Sequence, residues 1–409
     1  MTEFETFWTP SFGGDDTLTT ADEIVLHVKD LYVSFYTYEG VVKALDGVIM
    51  FLRRGDTMGL VGETGCGKSV TAKAVLGLVE APGRVEGGQI IFFDKDTETK
   101  EITELDLAQL SPEEMLEIRG NKISIVFQDP ATYPNPVFRI GDQIAEVIEL
   151  HQDLSLDVLY MKIAKLELAL SETNSDMNRA EIESKIAYYR QQMEDPPEPD
   201  KKSIKEAAKL KAIEMLRMVR MPAPEQVANQ YPHELSGGMR QRALIAMSLA
   251  CNPSILICDE ATTALDVTVQ AQVLKLLNQL KQEIGTSIIV ITHDMGVVAE
   301  TCEWVNVMYA GTSVESCATE RLFSTPLHPY TAGLLKAVPK LHEDRERLPQ
   351  IRGSVPNLIS PPTGCRFHPR CDYATEICIE TKPILEELEP RHWAACHHPL
   401  WTSGGKKNE

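Results

Sequence analysis

Eight consecutive residues constrain the fold of this chain more than any others: Gly62-Glu63-Thr64-Gly65-Cys66-Gly67-Lys68-Ser69. They satisfy the pattern GxxxxGK[ST]. The run Met58-Gly59-Leu60-Val61 before them reads as a buried strand, and residues 68–79 after them read as a helix. Glycines let a backbone wrap a phosphate with N–H groups aimed at its oxygens, and the positive end of the following helix adds to the attraction. Lys68 is spaced to reach the β- and γ-phosphates, and Ser69 to ligate Mg²⁺. The expected nucleotide-binding set is therefore Gly62, Glu63, Thr64, Gly65, Cys66, Gly67, Lys68, Ser69 and Val70. A chance glycine-rich turn would not need the strand before it and the helix after it.

Further apolar runs supply the rest of an α/β core. Ile24-Val25-Leu26-His27-Val28 alternates, and Ile123-Ser124-Ile125-Val126-Phe127, residues 254–259 and residues 287–292 read as buried strands. Strands separated by helices imply a largely parallel sheet, with ligands beyond its carboxyl edge. Ser254-Ile255-Leu256-Ile257-Cys258-Asp259-Glu260 delivers two acids to that edge. Asp259 can hold Mg²⁺, and Glu260 can polarise an attacking water as general base. Alone, an apolar run ending in Asp-Glu is only a strand end. Beside the phosphate loop it is the second half of a hydrolytic site.

A third motif is Leu235-Ser236-Gly237-Gly238-Met239-Arg240-Gln241-Arg242, just ahead of a helix expected over 241–250. Ser236, Gly237 and Gly238 make a second anion site. One nucleotide does not need two such sites on one chain. The spare one is expected to close over a nucleotide bound to another chain. Standing alone, it would read as an ordinary Ser-Gly-Gly helix cap.

The remaining sequence sets the organisation. A length of 409 residues suits two or three domains, and a hydrophobic fraction of 43% excludes wholesale disorder. The net charge of −20 weighs against a nucleic-acid partner. No apolar run reaches the roughly 18 residues of a membrane span. Residues 1–22 form an acidic, polar leader without the pattern of a signal peptide, so the chain is expected in the cytoplasm. Over 152–205, Leu156, Leu159, Ile163, Leu166 and Leu170, then Ile182, Ile186, Tyr189 and Met193, step by three and four. That spacing predicts two antiparallel helices packed along one seam, either a plain surface hairpin or a docking arm. From 321 the composition shifts to proline, histidine and cysteine, which places a domain boundary at 320/321 and a loose tail from Thr402. Four of the nine cysteines cluster there as C-x5-C-x6-C-x17-C: Cys365, Cys371, Cys378 and Cys396. In a reducing compartment they suit zinc, an iron–sulfur cluster or free thiols, and the close pairs usual in zinc knuckles are absent. His392, His397 and His398 lie nearby in sequence.

Taken together, these residues resemble the ATP-binding subunits of ABC transporters over about residues 23–401. The resemblance implies roles that spacing does not. Gln128, in Phe127-Gln128-Asp129-Pro130, matches the Q-loop glutamine that senses Mg²⁺ and the attacking water. His293, in Ile291-Thr292-His293-Asp294, matches the switch histidine of the γ-phosphate. Leu265-Asp266 matches the D-loop. Phe35 aligns with the aromatic that stacks on adenine, with Tyr36 and Tyr38 as rivals. The catalytic set so implied is Glu260, His293, Gln128 and Lys68, with Mg²⁺ held through Ser69, Gln128 and Asp259. Met239, Ala261 and Cys66 depart from the commoner family residues without removing a group that handles phosphate or metal. Cys66 is expected to be a reactive thiol, because loop N–H dipoles favour thiolate.

Pro326-Leu327-His328-Pro329-Tyr330-Thr331 and Gly364-Cys365-Arg366-Phe367-His368-Pro369-Arg370-Cys371 narrow the likeness to oligopeptide and dipeptide importers. The LSGGM form, Asn135-Pro136 and Ile140-Gly141-Asp142-Gln143-Ile144 resemble the D-type subunit. That branch implies a P-loop nucleotide-binding domain over 23–320, a helical subdomain at about 129–250 and a Cys-rich extension over 321–409. It implies a four-iron cluster on the four cysteines, with Zn²⁺ as the alternative. It implies as partners an F-type second ATPase subunit, two transmembrane permease subunits and an external solute-binding protein, at the cytoplasmic face of the cell membrane. Relatives carrying nickel or oligosaccharides, and soluble ABC ATPases outside transport, are the rival readings.

Overall fold

The computed structural model describes residues 23–96, 99–128, 132–172, 176–261, 266–337 and 351–400. The leader 1–22, Leu265 and the tail from Thr402 lie outside the described residues. Among the described residues there are twelve strands: β1 (Ile24–Thr37), β2 (Gly40–Arg53), β3 (Thr57–Val61), β4 (Gly83–Lys95), β5 (Ile102–Asp106), β6 (Ile123–Val126), β7 (Ile255–Asp259), β8 (Ser287–Thr292), β9 (Trp304–Tyr309), β10 (Thr312–Ala318), β11 (Glu386–Glu389) and β12 (His392–Ala394). They form an antiparallel sheet ordered β2-β1-β4-β5 and a mixed sheet ordered β11-β12-β10-β9-β3-β8-β7-β6. In the mixed sheet, β9, β3, β8, β7 and β6 run parallel. Every residue of β3, β7, β8 and β9 is buried, as parallel strands covered on both faces require.

The chain divides into two compact units, 1–128 with 254–263 and 277–409, and 129–253 with 264–276. The described elements of the second unit are helices. Its hairpin is Ser155–Glu172 followed by Asp176–Gln191, and the next helix, Lys201–Met218, starts on Asp200, whose carboxylate accepts from the N–H groups of Lys202 and Ser203. Leu159, Ile163 and Ile186 are buried on the seam, but Leu156 is 43% exposed. Its neighbour Val158 is buried instead. The apolar stripe of the first helix is rotated by part of a turn from the expected one. Among the described residues no helix is long and apolar enough to cross a membrane.

The boundary expected at 320/321 does not separate compact units, and this corrects the sequence reading. β12 pairs with β10, placing Glu315 against Ala394, Ser316 against Trp393 and Cys317 against His392. Trp393 joins the hydrophobic cluster that contains Leu60 and Ile257, and its ring lies 6.1 Å from Phe51 and 5.9 Å from Trp304. Glu315 is fully buried, and its carboxylate accepts the N–H groups of Leu327 (2.7 Å) and His328 (2.8 Å) and bonds His392 Nε2 (2.7 Å). The segment beyond 321 thus shares the core sheet rather than building a core of its own. His392 is spoken for inside that network.

Candidate functional site

Four parallel neighbours, β3, β8, β7 and β6, end along one edge, and a predicted residue follows each. The phosphate loop follows β3, His293 follows β8, Glu260 follows β7, and Gln128 lies just past β6. The topology therefore assembles residues separated by up to 231 positions in the chain, from 62 to 293.

Two glycines of the loop are fixed by space as well as by backbone. A Cβ on Gly62 (φ 151°) would stand 2.2 Å from the Met308 carbonyl oxygen, and one on Gly67 (φ 103°) 2.6 Å from Leu45. The helix Lys68–Val75 begins directly after, shorter than the expected 68–79. Lys68 is buried, and its ammonium donates to the carbonyls of Gly62 (2.8 Å) and Glu63 (3.2 Å), curling the loop around itself. Ser69 Oγ donates to Asp259 Oδ1 at 3.0 Å. Burial pushes the Asp259 carboxyl up, opposed by that hydrogen bond. Thr64 and Gly65 are exposed, and Val70 packs against the hydrophobic cluster.

Glu260 has a left-handed backbone (φ 47°), unusual for a residue with a side chain, and its N–H donates to the Ile291 carbonyl at 3.0 Å. Gln128 Nε2 donates to Glu260 Oε2 at 2.6 Å, while His293 Nδ1 stands 3.5 Å from Glu260 Oε1. The carboxylate is thus flanked on both oxygens. The sequence offered each residue singly, Glu260 by its place after a strand and Gln128 and His293 by resemblance, and the structure brings them together. Phe35 lies on β1 in the antiparallel sheet, half-buried and touching the core, with its ring 2.7 Å from where a Gly83 Cβ would be. Its rivals are more exposed: Tyr36 donates to Glu86, and Tyr38 is 97% exposed.

Cys66 departs from expectation. It is fully buried, and burial pushes its thiol above the ordinary range although Lys68 Nζ lies 3.8 Å away and pulls the other way. The side chain packs into the loop's underside, so the desolvation of a thiolate outweighs the local dipoles. Cys66 is expected to react with maleimide at pH 7.5 at least ~100-fold more slowly in the folded protein than in denaturant, a thiol both protonated and shielded being unreactive. Timed labelling read by peptide mass spectrometry checks this, and rapid native labelling would contradict the placement.

In the second unit, Ser236 caps the helix Gly237–Leu249, and Met239 N–H donates to its Oγ at 3.4 Å. The helix begins four residues earlier than expected because the two glycines are helical. Ser236, Gly237, Gly238, Arg220, Arg242 and Asp266 line a cavity of about 470 Å³. It combines a helix N-terminus with two guanidinium groups, a setting for an anion.

The four clustered cysteines, with His368, His397 and His398, line one small cavity. Burial raises the Cys365 and Cys396 thiols, to about 11 and about 12, and the neighbouring cysteines add to the effect. Among the described residues the one trio of metal-capable side chains with ligand atoms within 4.8 Å of one another is Glu315, Cys317 and His392. No three of the clustered sulfurs are that close.

Sequence reasoning missed the residues around Glu63. Its N–H donates to the Tyr330 hydroxyl at 2.9 Å, and its carboxylate pairs with both Nη1 (2.6 Å) and Nη2 (3.0 Å) of Arg370. Both partners lie in the two motifs noted near the end of the chain, and only their lack of an assigned role hid them.

Comparison with known proteins bears on the same regions. Residues 45–263 match the family model described as ABC transporter, and residues 314–378 match that of the oligopeptide/dipeptide transporter C-terminal region. The chain is 43% identical over 384 residues to the oligopeptide transport ATP-binding protein OppD of Haemophilus influenzae, covering 94% of this chain and 99% of that one. It is 40% identical over 375 residues to the dipeptide transport ATP-binding protein DppD of Bacillus subtilis, covering 91% and 94%. The solved dimeric structure of MJ0796, a bacterial ABC transporter cassette, superposes with a TM-score of 0.51 at 22% identity over 72% of this chain and 98% of that one, a likeness of fold.

Proposed function

We propose a mechanism from one premise: this chain belongs to the ATP-binding subunits of oligopeptide/dipeptide ABC transporters, and it is an ATPase. The observation that carries the reading is the Glu260 carboxylate held between Gln128 and His293, at the same sheet edge as the Ser69–Asp259 pair. Lys68 and the loop N–H groups bind and orient the phosphates. Ser69 and Asp259 would hold Mg²⁺, with Gln128 beside them, and Mg²⁺ when bound neutralises charge on the β- and γ-phosphates. Glu260 accepts a proton from water as the water oxygen bonds to the γ-phosphorus and the bond to the bridging oxygen breaks. Gln128 and His293 fix which way that carboxylate faces.

The cargo is peptide, since the relatives are named for oligopeptide and dipeptide transport. Two transmembrane permease subunits, an F-type second ATPase and an external solute-binding protein complete the assembly at the cytoplasmic face of the membrane, with no nucleic acid. Each ATP is shared between one chain's phosphate loop and another's Ser236 motif. A soluble ATPase outside transport would leave the C-terminal match over 314–378 without a role. In proteoliposomes holding the permease subunits, ATP turnover should rise several-fold when peptide-loaded binding protein is added outside. Turnover indifferent to permease and peptide would overturn the transport reading.

Cys365, Cys371, Cys378 and Cys396 would hold a four-iron cluster. What supports a bound group is that the four cysteines line one small cavity together, and four thiolates suit an iron–sulfur cluster. The group supplies cross-links to a segment short of apolar residues. Anaerobically purified protein is expected to be brown, with iron and acid-labile sulfide, and Cys378→Ser to bleach it. Elemental analysis showing zinc without iron would decide for the alternative.

A further inference from the structure

The loop that binds phosphate does so with backbone N–H groups, and such a site works only when its backbone is held within about half an ångström of the productive geometry. In this chain the second residue of the loop is fastened from the far end of the sequence. Arg370, 307 positions from Glu63, grips its carboxylate with both terminal nitrogens. A two-pronged guanidinium–carboxylate pair fixes direction as well as distance. The Arg370 side chain is only 5% exposed and that of Glu63 30%, so the pair is partly sheltered from water and salt.

Arg370 is itself held on every side. Its Nε donates to the Arg352 carbonyl at 2.7 Å, Nη1 to the Tyr309 hydroxyl at 3.3 Å, and its guanidinium lies 5.6 Å from the Tyr309 ring centre. Tyr309, Tyr330 and Phe367 form a mutually packed trio, with ring centres 4.7, 5.1 and 5.4 Å apart. Tyr330 receives the Glu63 N–H. Arg370 ends the short turn His368–Arg370, which Cys365 and Cys371 bracket. The two motifs that mark the C-terminal region thus converge on one loop residue.

We propose that Arg370 is a positioning residue for ATP: acting through Glu63, and seconded by Tyr330, it holds the phosphate loop in its binding shape, so that the C-terminal segment braces the nucleotide site. The proposal rests on the ATPase reading above and adds a residue outside the phosphate loop that acts through Glu63.

A double-mutant cycle tests it, with Arg370→Ala, Glu63→Gln and the pair, read by the dissociation constant of a fluorescent ATP analogue, by KM against kcat, and by amide hydrogen exchange. Each single variant should raise the dissociation constant and KM for ATP about 10-fold, leave kcat within about 3-fold, and speed exchange across residues 62–69. The pair should be no worse than either single change. Arg370→Lys should recover only part of the affinity, because an ammonium lacks the fork. Lys382→Ala is the control, because it breaks another tie of the same segment, to Asp46, that does not touch the loop, and it should leave ATP affinity as in wild type. Glu63→Gln carries the test if Arg370→Ala fails to fold, since the amide keeps the shape and loses the charge. Unchanged affinity in Glu63→Gln, or strictly additive effects, would overturn the proposal. A wild-type chain that neither binds nor hydrolyses ATP would instead overturn the ATPase reading.

Discussion

Glu260→Gln is expected to bind ATP with near-native affinity and to lose turnover by about 10²–10⁴-fold, the usual cost of removing a general base. The amide has the carboxylate's shape, and its oxygen can still accept from Gln128 Nε2, which bonds Glu260 Oε2 at 2.6 Å. The unusual φ of 47° at this position is a backbone property that the substitution leaves alone. Lys68, Ser69 and Asp259, proposed to carry binding, are held by bonds of their own: Lys68 to the Gly62 and Glu63 carbonyls and Ser69 to Asp259. What disappears is the ability to take a proton from water. Single-turnover hydrolysis measured beside equilibrium ATP binding separates the two effects. In the assembled transporter the variant should accumulate as a closed, ATP-loaded dimer with its partner ATPase. Hydrolysis within about 3-fold of wild type would remove Glu260 from the mechanism.

Ser236→Arg is expected to cut hydrolysis at the partner subunit's phosphate loop by at least ~100-fold while this chain's own loop still takes up nucleotide, a loss in the range seen when one preorganised transition-state contact is removed. The cavity lined by Ser236, Gly237 and Gly238 already contains Arg220 and Arg242. An added guanidinium would fill it and displace any phosphate presented there. Loss of the cap bond from Met239 N–H would by itself cost only ~1 kcal/mol, so the helix Gly237–Leu249 should survive. Ser236→Ala serves as the comparison, because it loses the cap without adding bulk or charge, and its effect should be far smaller. Mixed complexes with the change on one chain, photolabelled with azido-ATP and assayed for turnover, distinguish the sites. Loss of labelling only at this chain's Lys68 would contradict the shared-site arrangement.

Between them these expectations divide along the line where local sequence stops being informative. The phosphate loop was legible because its chemistry is carried by a short run of backbone whose glycines, lysine and serine must sit at fixed offsets, and because a strand and a helix flank it. Asp259 and Glu260 were legible for the same reason, being the covalent end of an apolar strand. The sequence could not show that Cys66 is buried and resists ionisation, because burial is a sum over neighbours such as Met308, more than two hundred positions away. Nor could it place the segment after 321, where a change of composition marked a boundary that the pairing of β12 with β10 erased. Leu156 faces outward because which residues of a helical stripe are covered depends on the surface it meets. Glu63 reads as one more loop residue until tertiary folding sets it against Arg370 and Tyr330. By itself the sequence determined the family and the ATPase activity, since both are written within short stretches of backbone. Only the tertiary structure decided what holds the chemistry in place, since hydrogen bonds and packing between distant residues exist only once the chain has folded.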